Sequence, residues 1–152
     1  MKFKLSLLSL LICSELIAQD VTIKAGTAVA ITPGTTFVIG NALTNDGALV
    51  NNGSIIIGGQ WVNNGTYNPG IGEITFNSPP GSGPQIINHN NQAFTKLRIS
   101  GGGSKLILAD LTIVGELILN DGVINNDDNH KVTFNSGAII TGGSDQSHVN
   151  GP

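Results

Sequence analysis

Cysteine is almost missing from this chain. Cys13 is the only one in 152 residues, and it falls in an N-terminal stretch that looks removable. The remainder then holds no disulfide framework and no thiolate metal site. Lipidation of Cys13 would need a small residue before it, and Ile12 is not small. Charge is scarce too, at 11 % of residues, under half the usual share. Arg98 is the single arginine and the net charge is -3. With no basic stripe to neutralise phosphates, nucleic acid is excluded as a partner. Strong helix formers thin out after residue 20. The longest apolar run, Leu5 to Ile12, is far too short to cross a bilayer as a helix, so no stable membrane span is expected.

What is present is glycine, asparagine and spaced apolar residues. The chain has 21 glycines and 39 % apolar residues, a composition of strands and turns rather than of disorder. Lys2 and Lys4 precede the Leu5–Ile12 run, the layout of a secretory signal. Residues 1–18 are expected to leave by cleavage after Ala18, with Gln19 or Asp20 at the new N-terminus. The protein is expected to be secreted or on the outer cell surface. Residues 19–152 are expected to form one domain.

From Ile31 to Tyr67 an apolar anchor recurs every six residues: Ile31, Phe37, Leu43, Leu49, Ile55, Trp61 and Tyr67. Three residues after each stands Gly34, Gly40, Asp46, Asn52, Gly58, Asn64 or Gly70, residue types that tolerate φ > 0 or make tight turns. Short strand plus sharp turn at a fixed period marks a stacked solenoid. An antiparallel meander joined by Asn-Gly turns would give the same period. Its strands, however, would be short and bury little, whereas stacked coils bury the same anchors about 4.8 Å above one another.

The pattern lapses at Ser78-Pro-Pro-Gly-Ser-Gly-Pro84, where prolines remove donors. A protruding loop is expected near 77–85, followed by a short strand at Ile86-Ile87; a linker between two domains is the other way to read it. The alternation returns in Leu97/Ile99, Leu106/Leu108, Leu111/Ile113 and Leu117/Leu119, and Leu111, Leu117 and Val123 again lie six apart. Ile74-Thr-Phe-Asn-Ser78 matches Val132-Thr-Phe-Asn-Ser136, which suggests one structural unit used twice. The fold expected is all-β: a single-stranded parallel β-helix of short strands and about six coils. A strict hexad suits a triangular left-handed helix, and the looser second half tilts the expectation to a right-handed one. The last residues, Gly142 to Pro152, carry no polar cap of the kind solenoids end on. The chain is therefore expected to be the front part of a longer protein, with open edges near Ile139 and Ile140 that favour end-to-end self-association.

Several segments resemble a known group. Gln60-Trp-Val-Asn-Asn-Gly-Thr-Tyr-Asn-Pro-Gly-Ile-Gly-Glu-Ile-Thr-Phe-Asn77 is similar to a motif of large, secreted, adhesin-like proteins of bacteria with a type IX secretion system. Phe94-Thr-Lys-Leu-Arg-Ile99, the ladder Leu106–Leu119 and the closing Thr141–Pro152 resemble the segments that follow it there. The resemblance covers nearly all of 19–152 and implies a structural, surface-exposed role. Members of that group often end in a C-terminal sorting domain, which these residues do not show. The group brings no known catalytic residues.

Candidate chemistry is thin. His89, His130 and His148 lack ligand spacing for zinc and are expected as solvent-exposed loop residues. Asp121 with Asn125-Asn-Asp-Asp-Asn129 supplies oxygen ligands of the calcium type, without the Gly-Gly-x-Gly-x-Asp series, so a solvated turn is expected. No glycine elbow surrounds a nucleophilic serine. A glycosidase needs two carboxylates; beyond the leader the only glutamates are Glu73 and Glu116. Asn51, Asn63 and their neighbours are candidates for stacked amide ladders. Trp61 and Tyr67 fall on the anchor register and are expected in the core, not on a sugar. No catalytic, cofactor or metal residue is assigned and no enzyme is expected. The function expected is a structural, adhesin-like segment that spaces or displays other modules, with cell-surface glycans or other surface proteins as partners. The alternative is a carbohydrate-binding surface module, and last a β-helical polysaccharide-degrading enzyme.

Overall fold

The structure is a computed structural model that describes residues 16–126 and 129–151. The leader expected at 1–18 thus lies outside the described residues up to Glu15. Among the described residues there is no helix, and short parallel strands stack in about six turns, a β-solenoid. The first coil comprises β1 (Leu16–Ala18), β2 (Val21–Ile23) and β3 (Ala28–Ile31). The second is β4 (Thr36–Ile39), β5 (Leu43–Asn45) and β6 (Ala48–Asn51), and the third β7 (Ser54–Ile57), β8 (Trp61–Asn63) and β9 (Thr66–Asn68). There follow β10 (Glu73–Phe76), β11 (Gln85–Asn88), β12 (Ala93–Ile99), β13 (Ser104–Ile107), β14 (Leu111–Leu119) and β15 (Val123–Asn125). The last three are β16 (Val132–Phe134), β17 (Ile139–Gly142) and β18 (Val149–Asn150).

Each coil has three faces. Sheet A runs β1-β4-β7-β10-β12-β14, sheet B runs β2-β5-β8-β11-β13-β15-β18, and sheet C runs β3-β6-β9. The hexad explains the count. Phe37 pairs with Ile55, Leu43 with Trp61 and Leu49 with Tyr67, each 18 residues on, which is three hexads. The meander is ruled out because every one of these pairings is parallel. Sheet C does not end the third face. β12 and β14 turn that corner without leaving strand, with a register shift between Phe94 and Lys96, and the two halves of β14 pair separately with β16 and β17.

Alternation along each strand sends two side chains inward, the anchor and the residue two on. The anchors are buried, apart from a half-buried Phe37; beside them lie Ile39, Asn45, Asn51, Ile57 and Asn63. The second half corrects one expectation. Leu111/Ile113, Leu117/Leu119 and Leu97/Ile99 face inward, but Leu106 is half-buried and Leu108 exposed, while Lys105 and Ile107 are buried in their place. A slip of one residue exchanges the two faces. The twin motif is corrected as well. Ile74 and Phe76 are buried in sheet A, whereas Val132 is half-buried and Phe134 exposed, and the strand of Val132 pairs with Leu111–Ile113 on the other half of β14. The same words serve two different faces.

The turns use the two options unequally. Of the seven residues that follow the anchors by three, only Gly34 and Gly70 have positive φ. The neighbouring glycines at 47, 53 and 65 are needed for room. A Cβ on Gly53 would lie 2.5 Å from the Thr35 carbonyl oxygen and 2.6 Å from that of Thr32, and one on Gly65 would strike Gly47 of the coil below. Coil-on-coil spacing in a parallel sheet leaves no slack there. Gly53→Ala is expected to cost about 1–3 kcal/mol by overpacking, read as a lower urea midpoint, while Ser82→Ala in the exposed loop should leave the midpoint unchanged.

Residues 77–84 leave the strands and Pro79–Pro84 are exposed. Sheets A and B run unbroken past them, through β7-β10-β12 and β8-β11-β13.

Candidate functional site: the outer face of sheet A

Residues that alternate outward on sheet A form columns, because parallel strands in register place equivalent side chains one above another. One column is Ser54, Glu73, Lys96 and Glu116; the next is Ile56, Thr75, Arg98 and Ile118. Glu73, Glu116 and the single arginine therefore meet on one flat face. Arg98 reaches diagonally to Glu73 with two bonds, Nε to Oε1 at 2.7 Å and Nη2 to Oε2 at 3.1 Å. This is the bidentate fork that planar guanidinium and carboxylate favour. Lys96 Nζ lies 3.2 Å from Glu116 Oε2, and the Thr141 hydroxyl donates to Glu116 Oε1 at 3.0 Å.

The electrostatics follow from these contacts. The bond to Glu73 raises the Arg98 pKa. The Thr141 hydroxyl, then Lys96, lower that of Glu116, so this carboxylate is held charged, the reverse of what a general acid requires. The two glutamates stand two strands apart with Lys96 between them, roughly 9–10 Å by strand spacing. What the row offers is alternating sign and hydrogen-bonding edges on a flat surface, suited to contacts with polar partners.

Other residues singled out by the sequence take different places. Trp61 and Tyr67 are buried and form an aromatic cluster with Phe76, His89 and Phe94, Trp61 edge-on to Tyr67 at 5.5 Å and to Phe76 at 6.4 Å. The expectation for His89 is overturned. It is fully buried, one position beyond the Asn88–Val62 pair and so above Asn63. Trp61 Nε1 donates to His89 Nδ1 at 2.9 Å, and the ring stacks on Phe94 at 3.7 Å. Burial drives its pKa down to about 3, so it is neutral. His130 and His148 are half-buried, and among the described residues no group of three His, Cys, Asp or Glu side chains is placed to hold a metal ion. Asp127 and Asp128 of the candidate calcium stretch lie outside the described residues.

The amide ladder is present in a mixed form. Asn45 Nδ2 donates to Asn63 Oδ1 at 2.7 Å and to the Thr66 carbonyl at 3.0 Å, and Asn51 Nδ2 donates to the Glu73 carbonyl at 3.2 Å. The Oδ1 atoms of Asn45 and Asn51 accept from Gly47 N and Gly53 N, both at 3.2 Å. These buried amides therefore both close their own turns and tie down the coil above.

Three polar residues were missed. Gln92 takes up Tyr67 N on its Oε1 at 2.7 Å and donates Nε2 to the Gly65 carbonyl at 2.8 Å. Those are the two groups that a further parallel strand would bond across Thr66, so one side-chain amide stands in for a peptide and finishes the edge of sheet C. Gln85 donates Nε2 to the Ile57 carbonyl at 2.8 Å and accepts from Ser78 N at 3.3 Å, anchoring the root of the exposed loop. Lys105 is fully buried, with Nζ 2.7 Å from the Ser100 carbonyl and 2.9 Å from that of Gly103. Burial lowers its pKa to about 8, against the opposing pull of Asp121. The one available signal was its position as the single charged residue in the alternating run Ser104–Ala109. Lys105→Met is expected to orphan these carbonyls at a cost of at least about 2 kcal/mol, read as a lower melting temperature, with exposed Lys24→Met as the neutral control.

Scans of protein-family models, of curated proteins and of solved structures each find no match to this chain.

Proposed function

We propose that this protein is a structural, adhesin-like solenoid segment, secreted or held at the outer cell surface, that spaces or displays other modules. The observation that carries the proposal is the continuous parallel stacking of coils around a filled core, which turns the chain into a stiff block with flat outer faces. The resemblance to adhesin-like proteins of the type IX route supports the same role. In this reading the protein is not an enzyme, and its partners are cell-surface glycans or other surface proteins met along the Glu73–Arg98–Lys96–Glu116 face. With Trp61 and Tyr67 buried, a glycan would be held by charged and amide groups, without aromatic stacking from those two rings. Cleavage after Ala18 removes β1 and leaves β4 as the first strand of sheet A.

Protease shaving of intact source cells, with mass spectrometry of the released and culture-medium protein, tests this. The expected result is surface-accessible protein that begins at Gln19 or Asp20, and reduced attachment of cells that lack it. Protein confined to the cytoplasm with Met1 intact would overturn the proposal.

A further inference from the structure

We propose that the partner of the outer face of sheet A is a second copy of this chain, docked face to face with the two solenoid axes antiparallel. The inference rests on the surface-exposed role proposed above and names the partner of that same face. The two outward columns carry a pattern that is complementary to itself. In coil order the first column is Ser54, Glu73, Lys96 and Glu116, and the second is Ile56, Thr75, Arg98 and Ile118. A symmetric dimer joins one patch to the same patch through a two-fold axis. An axis along the strand direction, between β10 and β12, reverses the order of the coils and keeps each column opposite itself.

In that arrangement no two like charges meet. Glu73 faces Lys96 of the second copy, and Lys96 faces Glu73 of the second copy. Ser54 faces Glu116, with a hydroxyl to donate. In the second column Ile56 faces Ile118 and Thr75 faces Arg98. Glu73 is then shared between its own Arg98, at 2.7 Å, and the incoming lysine, while Lys96 keeps its own Glu116 at 3.2 Å. The charges alternate in one chain across the contact. The groups are accessible for it: the Lys96 side chain is 42 % exposed and those of Arg98, Glu73 and Glu116 are partly so, whereas Thr75 and Ile118 lie lower and form the floor. The other two-fold, along the solenoid axis, exchanges the columns and sets Lys96 against Arg98 of the second copy. Like charges there oppose docking, so the face selects the antiparallel arrangement.

The contact is small. Four strands about 4.8 Å apart and two columns roughly 7 Å apart give each partner far less than the roughly 800 Å² of a standard interface. One pair of copies therefore binds weakly, and many copies on one surface bind together by avidity. Antiparallel axes are what copies standing on two facing surfaces present to each other. The adhesin-like role then includes attachment between cells that carry the same protein.

Analytical ultracentrifugation of the chain without residues 1–18, from about 10 μM to about 1 mM protein and at low and high salt, tests this. The parent is expected to form a dimer that dissociates as salt rises. Lys96→Glu sets two carboxylates opposite each other at both symmetry-related positions and should weaken the dimer at least about tenfold. Ser54→Lys places an ammonium opposite Glu116 of the second copy and should tighten the dimer several-fold. Within one copy that lysine stands beside Glu73, so its urea midpoint should match the parent's, and Ser54→Lys decides alone if Lys96→Glu does not fold. A parent that stays monomeric throughout would overturn the proposal. So would a Lys96→Glu dimer as tight as the parent's, or a Ser54→Lys dimer no tighter. Those outcomes leave the surface-exposed role standing, because that role is decided by localisation.

Discussion

Leu49→Asp is expected to leave little folded protein. Leu49 is 1 % exposed and stands between Val29 of the coil below and Tyr67 of the coil above. Loss of the buried leucine side chain alone costs about 2–5 kcal/mol. A carboxylate in its place loses its water among largely apolar neighbours, so it is protonated or drags water inward, at a further cost of several kcal/mol. The sum rivals the entire stability of an ordinary domain, about 5–15 kcal/mol. Circular dichroism and urea unfolding of residues 19–152 would show a lost or strongly shifted transition. Thr35→Asp, at an exposed turn position, is the matched control and should stay within about 0.5 kcal/mol of the parent. A parent-like transition for Leu49→Asp would mean that the six-residue anchors do not form the core.

Acid is expected to destabilise the fold before most carboxylates titrate, and His89 is the reason. Its folded pKa is about 3 against an ordinary 6.5. Between those values the unfolded chain binds a proton that the folded chain refuses. Stability from this group is thus complete above pH 6.5 and is lost as pH falls from 6.5 towards 3, by roughly 5 kcal/mol in all. The cause is geometric. Protonation of Nδ1 would remove the acceptor for Trp61 Nε1 and would place a charge against Phe94 and Tyr67. Urea titrations at pH 7, 6 and 5 can use the fluorescence of Trp61, the single tryptophan. His89→Gln keeps an acceptor for the indole but cannot titrate, so its stability should fall less steeply over this range than that of the parent. Equal slopes would show that His89 is not the group responsible.

Much of the fold was legible because a hexad is a local signal. Each anchor from Ile31 to Tyr67 lies inside or against the core, and Asn51 and Asn63 are buried amides as the ladder requires. The second half was harder. In Ser104–Ala109 the alternation was plain, but both phases offered apolar residues, Leu106/Leu108 or Ile107 with Lys105. The lysine made the true phase look wrong, since nothing local shows the carbonyls of Ser100 and Gly103 waiting for Nζ. The candidate face was illegible for a similar reason. Glu73, Lys96, Arg98 and Glu116 are each ordinary outward residues, and the coils between them differ in length, so only the pairing of β10, β12 and β14 lines them up.

The sequence by itself determined an all-β solenoid, its six-residue step and the anchors of its first coils, because side-chain alternation and turn chemistry act over a few neighbouring residues. The tertiary structure decided the phase of β13, the burial of His89, the different faces of the two Thr-Phe-Asn-Ser motifs, and the use of Gln92 and Lys105 as substitutes for missing backbone partners. Those outcomes depend on what the coil above and the coil below present. A strand of three or four residues has too few side chains to choose its own register, and the stack chooses it by burying whichever face leaves the fewest carbonyls and amides unpaired.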